Sequence, residues 1–167
     1  MLKINIRKAT HDDADVIHQL AEKIWNKHYL SIITQEQINY MLDKMYSPVS
    51  LKKQMDEQHN FSLAYINEQP VGYISVNETT SHNYFLNKLY VDTHVQRTGI
   101  GSALYDHVIN DLHHIENMRL QVNRKNYRAI NFYFKKGFMI EEVKDFDIGN
   151  NYFMNDFIMV KKYKNNN

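Results

Sequence analysis

Ile4 and Ile6 alternate with polar neighbours, and the alternation predicts a strand over about residues 3–8. The spacing then changes. Ala14, Ile17, Leu20, Ala21 and Ile24 recur every three or four positions, so a helix running to about His28 is expected. Thr10-His-Asp-Asp13 stands ahead of it in the form of an N-cap with an acid three residues later. Thr34-Gln-Glu-Gln37 opens a second helix in the same way, with Ile38, Met41, Leu42 and Met45 on one stripe, and Ser47-Pro48 ends it. Proline is tolerated in a first helical turn, so a short third helix over about residues 48–57 fits.

Beyond residue 60 the pattern becomes strand-like. Phe61–Asn67 and Val71–Asn77 flank Asn67-Glu-Gln-Pro70, which reads as a hairpin turn with Pro70 just outside the ladder. A further strand is expected over Asn83–Asp92. After Gly99, the positions Ile100, Ala103, Leu104, Val108, Leu112 and Ile115 form a helical stripe. Met118–Asn123 reads as a strand, 127–136 as a helix, and 138–144 and 152–161 as two last strands. The order, with strands and helices interleaved, describes an α/β (α+β) chain with a mixed sheet and helices on both faces.

Composition narrows the setting. With 167 residues, no repeat and no internal linker, a single domain over 1–167 is expected, and a chain of that length buries roughly 70% of its unfolded surface. Cysteine is absent, which excludes disulfides, thiolate metal sites and a cysteine nucleophile. The 20 basic and 19 acidic residues leave a net charge of +1, and the one basic cluster is Lys161-Lys-Tyr-Lys164, so no nucleic-acid partner is indicated. No apolar run approaches the roughly 20 residues that span a bilayer, and the first residues are too polar for a signal peptide. A cytoplasmic setting without a membrane partner is the expectation.

Two stretches carry the chemistry. In Gln96-Arg-Thr-Gly-Ile-Gly-Ser102 the glycines at 99 and 101 let the backbone turn tightly and approach a ligand. A helix starting there points unpaired N–H groups outward and carries partial positive charge, while Gln96 and Arg97 add a donor and a full charge. A diphosphate matches that arrangement. The stretch is no P-loop, since no Gly-Lys-Ser/Thr follows, and no dinucleotide fingerprint, since Leu104 stands where a third glycine would. Some thirty residues on, Asn126 and Tyr133 lie seven apart, two turns or about 10 Å along one helix face. A phenol so placed can protonate a departing thiolate. Together the stretches describe a site for an extended acyl-thioester cofactor.

With both in view, the chain resembles the GNAT superfamily of acetyl-CoA-dependent N-acetyltransferases. The resemblance rests on Gln96-Arg-Thr-Gly-Ile-Gly101 and on Asn126, Ala129, Phe132, Tyr133, Gly137 and Phe138, and it runs from the Ile-Arg-Lys-Ala-Thr segment at 6–10 to the last strand. It implies a mostly antiparallel sheet with a V-shaped splay between strands 4 and 5. It implies that backbone groups of Leu89, Tyr90 and Val91 hold the pantetheine arm and thioester carbonyl, and that Gln96, Arg97, Thr98, Gly99, Ile100, Gly101 and Ser102 form the diphosphate loop. Asn126, with Ala129 beside it, corresponds to the residue touching the cofactor arm, and Tyr133 to the proton donor for the coenzyme A thiolate. The segments Ala21–Trp25, Tyr29, Thr34–Ser47 and Asn155–Lys161 look like bacterial members related to spermidine/spermine N-acetyltransferases.

That resemblance implies direct transfer of an acetyl group to a primary amine, with a polyamine as the leading small-molecule acceptor. Acetylation of protein lysines and a non-catalytic acyl-CoA sensor are the competing readings. In the branch acting on protein N-termini a Glu near the end of the fifth strand is the general base. Gln121 occupies that position here, and an amide cannot take the proton. Glu78, His82 and Tyr84, near the turn into the fourth strand, are the base candidates, directly or through water. Trp25 and Tyr29 are candidates for the acceptor wall, and Asp156 for a second ammonium. The nine histidines show no metal-ligand spacing, so no metal is expected. A homodimer is left open.

Overall fold

The computed structural model describes residues 3–95 and 98–163. Of the positions singled out above, Gln96, Arg97 and Lys164 lie outside that set. The chain groups into two compact units, Met1–Asn77 with Lys88–Leu112, and Glu78–Asn87 with His113–Asn167.

In the first unit β1 (Ile4–Lys8) leads through a single 3-10 turn into α1 (Ala14–His28). Asp13 builds that turn. Its Oδ2 accepts from the Thr10 N–H at 2.8 Å, and its two oxygens accept from Arg7 at 2.7 and 2.9 Å. The Arg7 guanidinium holds the Asp13 carboxyl below the usual carboxylate range, against an opposing push from partial burial. α1 packs its buried Ile17, Leu20, Ala21, Ile24 and Trp25 stripe against α2 (Gln35–Tyr46) and α3 (Pro48–Asp56). Thr34 Oγ1 accepts from the Gln37 N–H at 3.2 Å to cap α2. Ser47 closes α2 and caps α3, with Pro48 in the first helical position. The α2 stripe ends on Tyr46 rather than Met45, because Ile38, Leu42 and Tyr46 lie four apart and complete one row.

β2 (Asn60–Ile66) and β3 (Gln69–Thr80) form an antiparallel hairpin. Its two turn residues, Asn67 and Glu68, both have positive φ, 47° and 64°, the geometry that matches strand twist in a two-residue hairpin. Pro70 is not outside the ladder as expected. It opposes Tyr65 at a bulge, where a residue without an N–H costs no ladder hydrogen bond. β4 (Asn83–Val91) and α4 (Ile100–Asp111) follow. The apolar stripe expected to reach Ile115 stops short of it: α4 ends at Asp111, Leu112 is extended, and His114 has a φ of 52°.

Adjacent residues of β3 show how this unit is layered. A Cβ on Gly72 would point at Leu104 of α4, while Tyr73 packs edge-on to Tyr46 of α2. Neighbouring strand residues face opposite ways, so helices cover both faces of the sheet.

In the second unit the first half of β4 pairs in parallel with β5 (Asn117–Asn123). The ladder runs from Asn83↔Asn117 to Leu86↔Leu120 and ends there, although β4 continues to Val91 and β5 to Asn123. α5 (Tyr127–Lys135) is followed by the antiparallel pair β6 (Met139–Gly149) and β7 (Tyr152–Lys162). Both strands are longer than the sequence pattern suggests, because β6 is exposed almost throughout and carries no inside-outside alternation to read. The seven strands are ordered β1-β2-β3-β4-β5-β7-β6; β1–β2, β2–β3, β5–β7 and β6–β7 are antiparallel and β4–β5 is parallel.

Gly72 is where a close backbone approach excludes a side chain. An added Cβ would lie 2.9 Å from the Tyr90 carbonyl oxygen, which belongs to backbone and cannot swing aside. Gly72→Ala is therefore expected to destabilise the protein by about 1–3 kcal/mol, as overpacked cores do. A lower urea midpoint at unchanged slope is the expected observation; an unchanged midpoint would show the strands free to separate.

Candidate active site

The turn between β4 and α4 is built by Asp92. Its backbone N–H donates to the Val71 carbonyl at 2.8 Å, and its carboxylate accepts from the His94 N–H at 3.0 Å and from Lys23 Nζ. Burial pushes the Asp92 carboxyl up, but Lys23 and the His94 N–H outweigh it and hold the group below its ordinary range. α4 then opens on Gly99, whose φ of 84° suits glycine. Among the described residues no side chain caps this helix, and a Cβ on Gly99 would meet nothing within 4 Å. The first-turn N–H groups of Ile100, Gly101 and Ser102 have no partner within the helix. Ile100 and Leu104 are fully buried and anchor the helix from below. The arrangement fits a diphosphate: a cradle with room, positive dipole and no competing cap.

On β4, Lys88 and Tyr90 face the helical layer. Tyr90 enters an aromatic cluster with Trp25, Tyr29, Tyr46 and Tyr73. Trp25 stacks on Tyr29 at 4.4 Å, and the Tyr29 and Tyr90 hydroxyls lie 3.3 Å apart. The Tyr46 and Tyr73 phenols are pushed well above their ordinary range by burial. The Tyr73 hydroxyl and the Trp25 indole N–H are buried near one another, and among the described residues neither has a partner at hydrogen-bonding geometry. Lys88 is 9% exposed. Its ammonium donates to Gln54 Oε1 at 2.7 Å and lies 5.1 Å from the Tyr46 ring, and burial lowers its pKa to about 8.

In the second unit Asn126 is the cap of α5, not a residue on its face as the spacing suggested. Its Oδ1 accepts from the Ala129 N–H at 3.3 Å. An Asn ahead of a helix satisfies an orphan donor, and that local gain decides its position. Tyr133 is 6% exposed, its ring edge-on to Phe132 at 5.3 Å and to Phe138 at 5.6 Å. Gly137, at φ 90°, turns the chain out of the helix toward β6.

Asp156, on β7, opposes Asn123 of β5 and Lys144 of β6. It is 3% exposed, and no hydrogen bond or ion pair to its carboxylate is formed among the described residues. Two cations are near and both are engaged elsewhere. Arg124 pairs with Asp145 at 2.6 Å, and Lys144 Nζ lies over the Phe146 ring at 5.2 Å. Burial raises the Asp156 pKa to about 6, with Arg124 opposing and Asp145 reinforcing.

The acetyltransferase (GNAT) domain model matches residues 29–147, most of the chain. This chain belongs to the GNAT acetyltransferase family. It is an N-acetyltransferase of the acetyl-CoA-using kind. The spermidine N(1)-acetyltransferase of Thermoplasma acidophilum is 26% identical over 170 residues, covering 98% of this chain and 99% of that protein. The crystal structure of the PaiA N-acetyltransferase from Thermoplasma acidophilum in complex with coenzyme A matches with a TM-score of 0.80 at 27% identity, over 97% of this chain and 100% of that one. The ribosomal-protein-S18-alanine N-acetyltransferase of Escherichia coli, at 18% identity and TM-score 0.73 over 96% of this chain and 94% of that one, shares the fold.

Against the GNAT frame, the residues expected to serve the acceptor fall into separate places. Glu78, His82 and Tyr84 do come together: Glu78 Oε1 accepts from the His82 N–H at 2.7 Å, and burial, then Glu78, raises the Tyr84 phenol. They sit at the Asn117 end of β5, about 20 Å along the strand from Asp156 at the Asn123 end. Trp25 and Tyr29 lie inside the aromatic cluster. Lys88 was missed as a site feature, although its position between Leu86 and Tyr90 in strand phase put a cation where an apolar residue belongs. Among the described residues no group of three or more His, Asp or Glu could hold a metal ion, and no helix is long and apolar enough to cross a membrane.

The isolation of Asp156 carries a stability signature. Its pKa rises from 3.8 to about 6 on folding, so the native state binds more protons between those values and stability falls as pH rises through that window. The full penalty stands above pH 6. Asp156→Asn should therefore raise stability at pH 7.5 by about 1–3 kcal/mol and leave it unchanged near pH 4. Urea unfolding of both proteins at the two pH values checks the sign; a destabilised variant at pH 7.5 would mean the carboxylate is held by a partner.

Proposed function

We propose that this protein transfers the acetyl group of acetyl-CoA to a primary amine of a small polycationic molecule, a polyamine being the best-supported class, through a single domain spanning residues 1–167. The observation that carries the reading is the opening of α4 on Gly99, capped by no described side chain and reached from β4 through the Asp92 turn, in a chain of the GNAT family. Similarity over nearly full length to a spermidine N(1)-acetyltransferase supports the acceptor class.

Bound acetyl-CoA supplies an activated acetyl group on a thiol leaving group. The chain's own residues do the rest. The N–H groups of Ile100, Gly101 and Ser102, with Thr98 and Gly99 and with Gln96 and Arg97 adjoining, bind the diphosphate. Main-chain groups of Leu89, Tyr90 and Val91 hold the pantetheine arm and polarise the carbonyl it presents. Asn126 and Ala129 flank the arm at the start of α5. Tyr133 gives its phenolic proton to the sulfur as the thiol leaves. Asp156 is the acceptor-side acid. Trp25 and Tyr29, stacked on each other and buried, serve as packing behind the acceptor wall. Glu78, His82 and Tyr84, about 20 Å along β5 from Asp156, are too far to share one ammonium with it.

Tyr133→Phe should bind acetyl-CoA with a Kd within about threefold of the parent and lose about 100-fold or more in coenzyme A release with spermidine, the range that a general acid contributes. Calorimetry and a thiol-release assay check the two halves. The same assay across spermidine, amino acids, aminoglycosides and lysine peptides tests the acceptor class; release confined to peptides would reject the small-amine reading.

A further inference from the structure

We infer that Asp156 is the general base of this enzyme, the group that removes a proton from the acceptor's ammonium. The inference rests on the amine-acceptor reading above and assigns a step that reading leaves open. Gln121 and Asp156 share one face of the sheet: Gln121 opposes Ile158, Asn123 opposes Asp156, and residues two apart on a strand face the same way. Asp156 is thus the diagonal cross-strand neighbour of Gln121, within about 8 Å. The amide at 121 cannot accept a proton, and a carboxylate stands one strand over.

That carboxylate is arranged as a site. A carboxylate buried to 3% exposure ordinarily captures a cation or several N–H donors, and this one has neither. Arg124 is drawn to Asp145, which opposes Asn155 and therefore points to the other face of the hairpin. Asn155 Nδ2 donates to the same Asp145 oxygen at 2.8 Å. Lys144 stands beside Asp156 in register but extends along β6 to Phe146. Glu142, next along that face of β6, is exposed and is the same sign as Asp156. Among the described residues both nearby cations are diverted, so an amine arriving from outside is the counter-ion this carboxylate lacks. Burial adds basicity, and a base titrating close to neutrality is efficient.

The proton balance closes. The ammonium gives one proton to the Asp156 carboxylate and becomes a neutral amine. Its lone pair forms the N–C bond as the C–S bond breaks, the sulfur takes the Tyr133 proton, and the nitrogen's surplus proton restores the phenol. Asp156 then releases its proton to solvent, one per turnover.

The test compares parent and Asp156→Asn with spermidine and with an alkoxyamine already neutral at pH 7. Loss of about 100-fold or more with spermidine, with the alkoxyamine rate within about threefold, is expected. The parent's kcat/KM profile with the alkoxyamine should be flat where its spermidine profile gains an acid limb near pH 6, and the variant should lack that limb. Acetyl-CoA Kd should be unchanged and the urea midpoint at pH 7.5 not lowered, which separates a lost base from a damaged fold. Equal losses with both amines, or an unimpaired variant, would overturn the assignment. A parent that released no coenzyme A with either amine would sink the acceptor class itself, and the base with it.

Discussion

The short parallel ladder between β4 and β5 constrains what surrounds it. Antiparallel strands can be joined by a two-residue turn, and β2–β3 and β6–β7 are so joined, at Asn67-Glu68 and Asn150-Asn151. A parallel pair has no such option. The chain must travel back through a crossover, and α4 supplies it. A crossover helix necessarily starts after the C-terminal end of the strand it follows, which is where α/β architectures receive anionic ligands. The positive end of α4 and the open backbone at Gly99 therefore follow from the pairing rule. Asp92 keeps that start in place by capping the intervening turn from its own side chain, so the helix cap itself stays open for a ligand.

Much of this was legible in the residues, and what was not has a physical cause. Caps and amphipathic stripes located α1, α2 and α4 because those helices bury one face and expose the other. The exposed β6 had no alternation to show. Pro70 reads as a terminator by its missing N–H, yet a bulge absorbs the omission; bulges leave no mark in a sequence. Asn126 and Tyr133 are two turns apart whichever residue begins the helix, and spacing alone does not tell a cap from a face. Asp156 was visible as an acid on a strand. Its isolation was not, since that depends on where the side chains of Arg124 and Lys144 extend.

Among the described residues, Lys88 in the first unit and Asp156 in the second are ionisable groups that stability alone would remove. Lys88 is held among Tyr46, Phe61 and Gln54 without a carboxylate, and its pKa falls as a desolvated cation's must. Asp156 shows the opposite sign and the opposite shift. Hydrophobic residues of similar volume at both positions would relieve the desolvation. Sequences that break local rules in this way do so where function requires the group. The two cases differ in kind. Lys88 has Gln54 as a neutral acceptor and two rings as a π-face, so its environment compensates it in part. Asp156 has no such compensation among the described residues of its unit.

The amide at Gln121 and the carboxylate at Asp156 then form a consistent pair. Two carboxylates on adjoining strands, diagonal on one face, would repel one another, and one would be driven to hold its proton at neutral pH. A protonated acid cannot accept a proton from an ammonium. Keeping a single buried carboxylate on that face, with Glu142 out in solvent, leaves it ionised at pH 7 despite burial, since a pKa of about 6 still lies below neutrality. The neutral Gln121 and Asn123 beside it can orient an incoming amine by hydrogen bonding without competing for the charge. An acid at 121 would raise the Asp156 pKa further and leave it protonated at neutral pH, and a cation at 124 or 144 turned inward would quench its charge. The face is chemically coherent only with the amide, the buried acid and the diverted cations taken together.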